Sequence, residues 1–79
     1  MTPYLIEARY VGGYRIHLVY EDGTRADVDL ERELWGEVFE PLRNVEMFKA
    51  FRLDMELQTI AWPNGADFAP EFLYERATA

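Results

Sequence analysis

The side chains able to do chemistry are few, and the missing ones narrow the reading first. The chain has no cysteine and no serine, a single histidine (His17) and a single lysine (Lys49). Disulfides, thiolate metal sites, cysteine nucleophiles and serine triads are therefore outside its repertoire. His17 has no second His or Cys with which to build a zinc site. What remains is carboxylate: fifteen Asp and Glu against eight Lys and Arg, a net charge of −7. Paired carboxylates can hydrolyse a glycosidic bond when a cleft holds them at the right separation. A calcium loop would need acids at alternate positions, then Gly and a terminal Glu, and that spacing does not occur. The acids here fall at exposed phases of their elements, and 79 residues leave little room for a walled cleft. No catalytic residue, metal or cofactor is assigned, and the chain is not expected to be an enzyme.

Two constellations stand out. The acidic run Asp27, Asp29, Glu31, Glu33, Glu37 and Glu40 is interrupted only by Arg32 among basic residues. Such a run attracts a basic partner and speeds its approach. It also matches a solvated strand face followed by helix-start carboxylates. The second is Trp62-Pro63-Asn64-Gly65-Ala66-Asp67. A rigidly held loop of Trp62, Pro63, Asn64, Gly65 and Asp67 could contact a partner. Each residue also has a backbone reading: Pro63 presets a turn, Asn64-Gly65 tolerates left-handed backbone, Asp67 caps a following helix, and Trp62 anchors that helix to a sheet. An alternative is a small-ligand or enzymatic pocket around Asn64 and Asp67, whose mark would be a buried acid with a raised pKa beside Trp62.

Charge and hydropathy bound the partners. No two basic residues are adjacent, and the net charge repels a phosphate backbone, so direct nucleic-acid binding is not expected. No apolar stretch approaches the roughly 20 residues that cross a bilayer. Met1-Thr2-Pro3-Tyr4 lacks the basic and apolar regions of a signal peptide, which makes the cytoplasm the expected location and membrane contact unexpected.

The elements that must carry these residues follow from periodicity. Ile6, Ala8 and Tyr10 alternate with Glu7 and Arg9. Ile16, Leu18 and Tyr20 alternate with Arg15, His17 and Val19. Ala26, Val28 and Leu30 alternate with Arg25, Asp27 and Asp29. Each is a strand with one core face and one wet face. A two-residue loop at Asp22-Gly23 would put Leu18 opposite Asp27 and mix the faces. A three-residue loop, Glu21-Asp22-Gly23 with Gly23 at positive φ, pairs Tyr20 with Thr24, Leu18 with Ala26 and Ile16 with Val28. His17 then meets Asp27 and Arg15 meets Asp29, favourable pairs on the wet face. The same loop length at Val11-Gly12-Gly13 sets Ala8 against Ile16, Ile6 against Leu18 and Arg9 against Arg15.

Beyond this the period changes. Asp29 is expected to cap a short helix from Leu30 to Trp35, ended by Gly36. Phe39, Pro41 and Leu42 form an apolar connector. Asn44 caps a helix from Val45 to about Ala50 that buries Val45, Met47 and Phe48. A second hairpin runs through Phe51–Asp54 and Thr59–Trp62. Asp67 is expected to cap a last helix through Arg76, with Pro70 in its first turn. Phe48, Phe51, Trp62, Phe68 and Phe72 fall at core phases, whereas Tyr14, Trp35 and Phe39 are candidates for an exposed patch. The expected fold is a single α+β domain over residues 1–79, a small antiparallel sheet of about five strands in two hairpins with two or three short helices.

The string from Thr59 to Asp67, with Pro70, Glu71, Leu73, Tyr74 and Glu75, resembles the bacterial family called domain of unknown function 2442. Asp22-Gly23, Val28-Asp29-Leu30 and Phe39-Glu40-Pro41-Leu42 agree with it, so the resemblance covers nearly the whole chain. Gln58 departs from it, since such sequences tend to carry glycine there. The resemblance implies a small α+β domain with no established activity, often encoded beside another small family, domain of unknown function 4160, in an arrangement similar to toxin–antitoxin pairs. Longer relatives carry a helix-turn-helix after this domain; the sequence here ends at Ala79, and DNA binding is not carried over. The expected role is a protein-interaction module for a small basic partner, antitoxin-like in character. A second copy of the chain is an alternative partner, through an open sheet edge, and an isolated sensor domain is a further alternative.

Overall fold

The computed structural model describes residues 2–79. Its first half is a three-stranded antiparallel meander of β1 (Leu5–Gly12), β2 (Arg15–Tyr20) and β3 (Arg25–Asp29), in the order β1-β2-β3. The β2–β3 register is the expected one: Ile16 faces Val28, Leu18 faces Ala26, His17 faces Asp27 and Arg15 faces Asp29. The loop closes through Tyr20 N–H to the Thr24 carbonyl at 2.8 Å, with Gly23 at φ +91°. Two faces that had to be satisfied together left one loop length.

The β1–β2 register differs by two residues from the expected one. Ala8 faces Leu18, Tyr10 faces Ile16, and Arg9 lies opposite His17, not Arg15. An irregularity between Tyr10 and Gly12 takes up the extra residue, and an even shift keeps every side chain on its face. A second irregularity between Leu5 and Glu7 does change the face: Leu5 is fully buried, whereas Ile6, expected in the core, is 54% exposed. Val19 is also a correction. It sits on the outer face yet is buried, with Glu7 opposite it on one side and Arg25 on the other.

A connector of two 3-10 turns, Glu31–Glu33 and Glu40–Arg43, leads to α1 (Val45–Phe48). The expected helix from Leu30 to Trp35 is only the first of these turns. Its flanking residue Leu30 makes no side-chain cap, and the Asp29 carboxylate accepts the Glu31 N–H at 2.9 Å. Leu30, Leu34 and Leu42 are buried and fasten the connector to the sheet. Asn44 caps α1 as expected, accepting the Glu46 N–H at 2.9 Å, but one turn buries only Phe48 and leaves Met47 exposed.

The second hairpin, β4 (Arg52–Asp54) and β5 (Thr59–Ala61), forms its own two-stranded sheet. The five strands thus divide into two sheets instead of one, though the mixed α+β character holds. Asp54 organises the β4–β5 turn by accepting the Glu56 and Leu57 N–H groups at 3.0 and 2.9 Å. Gln58 ends that turn at φ +59°, the left-handed conformation that suits glycine. The last element is α2 (Pro70–Thr78), capped from Ala69 with Pro70 in the first turn. One hydrophobic core joins Leu5, Ile16, Leu18, Tyr20, Phe48, Ile60, Trp62 and Leu73 across both sheets and α2.

Candidate functional site

The motif from Trp62 to Asp67 first makes a turn. Gly65 N–H reaches the Trp62 carbonyl at 3.0 Å and Trp62 N–H reaches the Ala66 carbonyl at 2.9 Å, with Gly65 at φ +92°. The Asn64 side chain works in both directions: its oxygen accepts the Ala66 N–H at 3.1 Å, and its amide donates to the Val38 carbonyl at 2.9 Å. The turn is thereby tied to the connector. Trp62 is 2% exposed, and its indole N–H donates to the Phe48 carbonyl at 2.8 Å. Pro63 is exposed at the tip of the turn.

Asp67 behaves otherwise than expected. Its backbone bridges to Ala61, which extends the chain for two more residues and moves the start of α2 to Ala69. An Asp67 carboxylate held in that extended stretch cannot reach the first turn as a cap. Among the described residues it accepts no hydrogen bond and joins no ion pair, and it stands exposed.

Asp67 instead borders an open groove of about 370 Å³ between the connector and the start of α2. Phe39, Phe68 and Phe72 line it as a ladder of near-parallel rings. Phe39 and Phe68 are 4.9 Å apart at 24°, and Phe68 and Phe72 are 5.5 Å apart at 23°. Trp35 borders the same groove and is 73% exposed, the most exposed large apolar side chain among the described residues. Glu33 completes the border, and it is already engaged. Arg76 of α2 donates to its carboxylate at 2.9 Å and to the Asp29 carbonyl at 2.9 Å, with the guanidinium 5.8 Å from the Phe72 ring centre.

The family model described as protein of unknown function (DUF2442) matches residues 5–79. The chain belongs to this family. Comparison of this DUF2442 chain with curated proteins finds no match. Comparison with solved structures finds none either.

The acidic run of the DUF2442 chain is continuous in sequence but divided in space. Asp27 lies on the outer sheet face, its Oδ1 2.6 Å from His17 Nδ1. Asp29 and Glu31 border a second depression with Arg32 and Arg76. Glu33 belongs to the aromatic groove, and Glu37 and Glu40 are exposed on the connector. Among the described residues no three His, Cys, Asp or Glu side chains gather as a metal ion would need, and no helix is long and apolar enough to cross a membrane.

Of the three aromatics expected as an exposed patch, Trp35 is exposed and Phe39 is half-buried in the groove. Tyr14 instead packs edge-on against Phe48 at 5.3 Å and donates its hydroxyl to the Arg43 carbonyl. Phe68 lies in the core as expected, with half-buried Phe72 packed against it, and both also carry the groove wall. The available signal was the sequence Phe68-Ala69-Pro70, where a proline-started helix leaves the preceding residues extended. Chemically, the groove offers flat aromatic faces beside one uncommitted carboxylate. That combination suits a cationic group with apolar surface.

Proposed function

We propose that this DUF2442 chain is a protein-interaction module, and that the groove between the connector and α2 receives a segment of a basic partner. The observation that carries the reading is Trp35, 73% exposed beside the Phe39–Phe68–Phe72 ladder. A flat, exposed indole next to buried and half-buried rings is typical of a surface that gains by being covered. The net charge of −7 and the free Asp67 carboxylate select the sign of what covers it.

The test is recovery of partners on the tagged full chain from its source cells, beside the Trp35→Ala variant. A small basic protein retained by the native chain and reduced at least about tenfold by the variant is expected, in line with loss of an aromatic anchor. Equal recovery by both would remove the groove from the reading. Recovery of the chain alone would replace a foreign partner with a second copy.

The finer form of the reading is an antitoxin-like role in the cytoplasm, and its support is the gene arrangement that the family resemblance implies. Growth arrest by the neighbouring small protein, relieved when the two are expressed together, is its expected outcome.

A further inference from the structure

The groove's chemistry narrows the partner further, on the assumption that the interaction reading holds. The chain already docks one guanidinium here. Arg76 lies with its Cζ 5.8 Å from the centre of Phe72, at one end of the ring ladder, while Glu33 accepts its Nη1 at 2.9 Å. The elements of that arrangement are a ring face and a carboxylate. Trp35, Phe39 and Asp67 line the same groove and make up a second set of rings and a carboxylate there. No cation of the chain occupies this second set among the described residues: Arg76 is committed to Glu33, and the other described ion pairs involve Arg9, His17, Lys49 and Arg52 with acids elsewhere.

We infer that the groove takes an arginine side chain of the partner, its guanidinium lying on the Trp35 and Phe39 faces and paired with the Asp67 carboxylate. Arginine is preferred over lysine for a physical reason. A planar guanidinium is weakly hydrated and can stack on a ring while its edge donates to a carboxylate. An ammonium is a compact, strongly hydrated charge that does the first poorly. Phe39, Phe68 and Phe72 already lie nearly parallel, so an added planar group extends the ladder without moving it.

The experiment uses the full chain and three short peptides, alternating glycine with arginine, with lysine or with the neutral isostere citrulline, at physiological salt. Binding is read by calorimetry and by the change in tryptophan emission, to which the exposed Trp35 and the buried Trp62 both contribute. The arginine peptide should bind at least about threefold tighter than the lysine peptide, and the citrulline peptide should not bind measurably. Asp67→Asn should weaken the arginine peptide by about tenfold. Glu56→Gln, an exposed acid on the β4–β5 turn, should leave it unchanged. Because the Asp67 carboxylate supports nothing in the fold, the variant's thermal midpoint should stay at the native value. Equal affinity for arginine and lysine peptides, with Asp67→Asn no different from Glu56→Gln, would overturn the arginine site. It would leave a diffuse attraction of basic segments standing. Failure of every basic peptide to bind would overturn both.

Discussion

At the scale of single residues, the polar side chains of the turn from Trp62 to Asp67 differ in whether they find a partner. Trp62 and Asn64 each satisfy a distant carbonyl, on Phe48 and Val38. Asp67, assigned a capping role by its position, has none. The error is physical: a cap must sit immediately before the first turn, and the bridge from Asp67 to Ala61 keeps the chain extended until Ala69. Another carboxylate is held tightly where the sequence showed only a turn residue. Asp22 accepts the Tyr74 hydroxyl at 2.5 Å and the Thr24 N–H at 2.9 Å, and these bonds, the tyrosine's first, lower its pKa below the ordinary 3.8. A carboxyl whose folded pKa is depressed stabilises the fold above its unfolded pKa and loses that contribution as pH falls through the folded one. Tyr74→Phe keeps the edge-on ring contact with Tyr20 at 4.9 Å but removes the hydroxyl. The variant should be less stable than the native chain at neutral pH. Urea midpoints should then converge as the pH is taken below about 4, where the unfolded carboxyl takes up its proton. A gap that stayed constant down to acid pH would show that the bond contributes nothing through the carboxylate. On the alkaline side, burial, with Tyr74 and Asp22 adding to it, raises the Tyr20 hydroxyl to about 12. The unfolded chain ionises first, so stability should begin to fall near pH 10.

Among the elements, legibility followed how many independent patterns had to agree. The β2–β3 hairpin had a core face and a charged face, and both selected the same loop. The β1–β2 hairpin had two consecutive glycines and fewer charges to align. Its Gly12 and Gly13 allowed a tighter loop with a bulge, and alternation cannot distinguish registers that differ by two. The short helices were expected too long, because capping residues mark where a helix starts but not whether packing sustains it past one turn. The β4–β5 turn carries the departure that the sequence did flag. Gln58 occupies φ +59°, and its side-chain oxygen is buried without a hydrogen-bond partner among the described residues. Gln58→Gly should therefore stabilise the chain by about 0.5–1 kcal/mol, the relief of a left-handed side-chain residue less the added freedom of the unfolded chain. Equilibrium denaturation with an unchanged slope would measure it, and a lower midpoint would mean that the Gln58 amide bond to the Met55 carbonyl outweighs the strain.

For the molecule as a whole, composition gave the class of structure and the sign of its charge but not its division into two sheets. Which strands share hydrogen bonds depends on contacts far apart in sequence, and periodicity sees only neighbours. Nor could the groove be read in advance. Its residues come from three separate stretches, around Glu33, around Phe39 and after Asp67, and only the folded chain brings them side by side. The division has a dynamic consequence. The large and small sheets share no ladder, and the Trp62 indole that follows β5 bonds to Phe48 of α1 and not to the large sheet. Parting the two sheets would break few backbone bonds, so amide protons of Leu53 and Ile60 should exchange with deuterium at a lower opening free energy than that of Leu18. An occupant of the groove would press on the Asp67–Ala61 bridge and so on the small sheet. Its arrival should slow the first pair and leave the third untouched, a footprint of binding written in hydrogen.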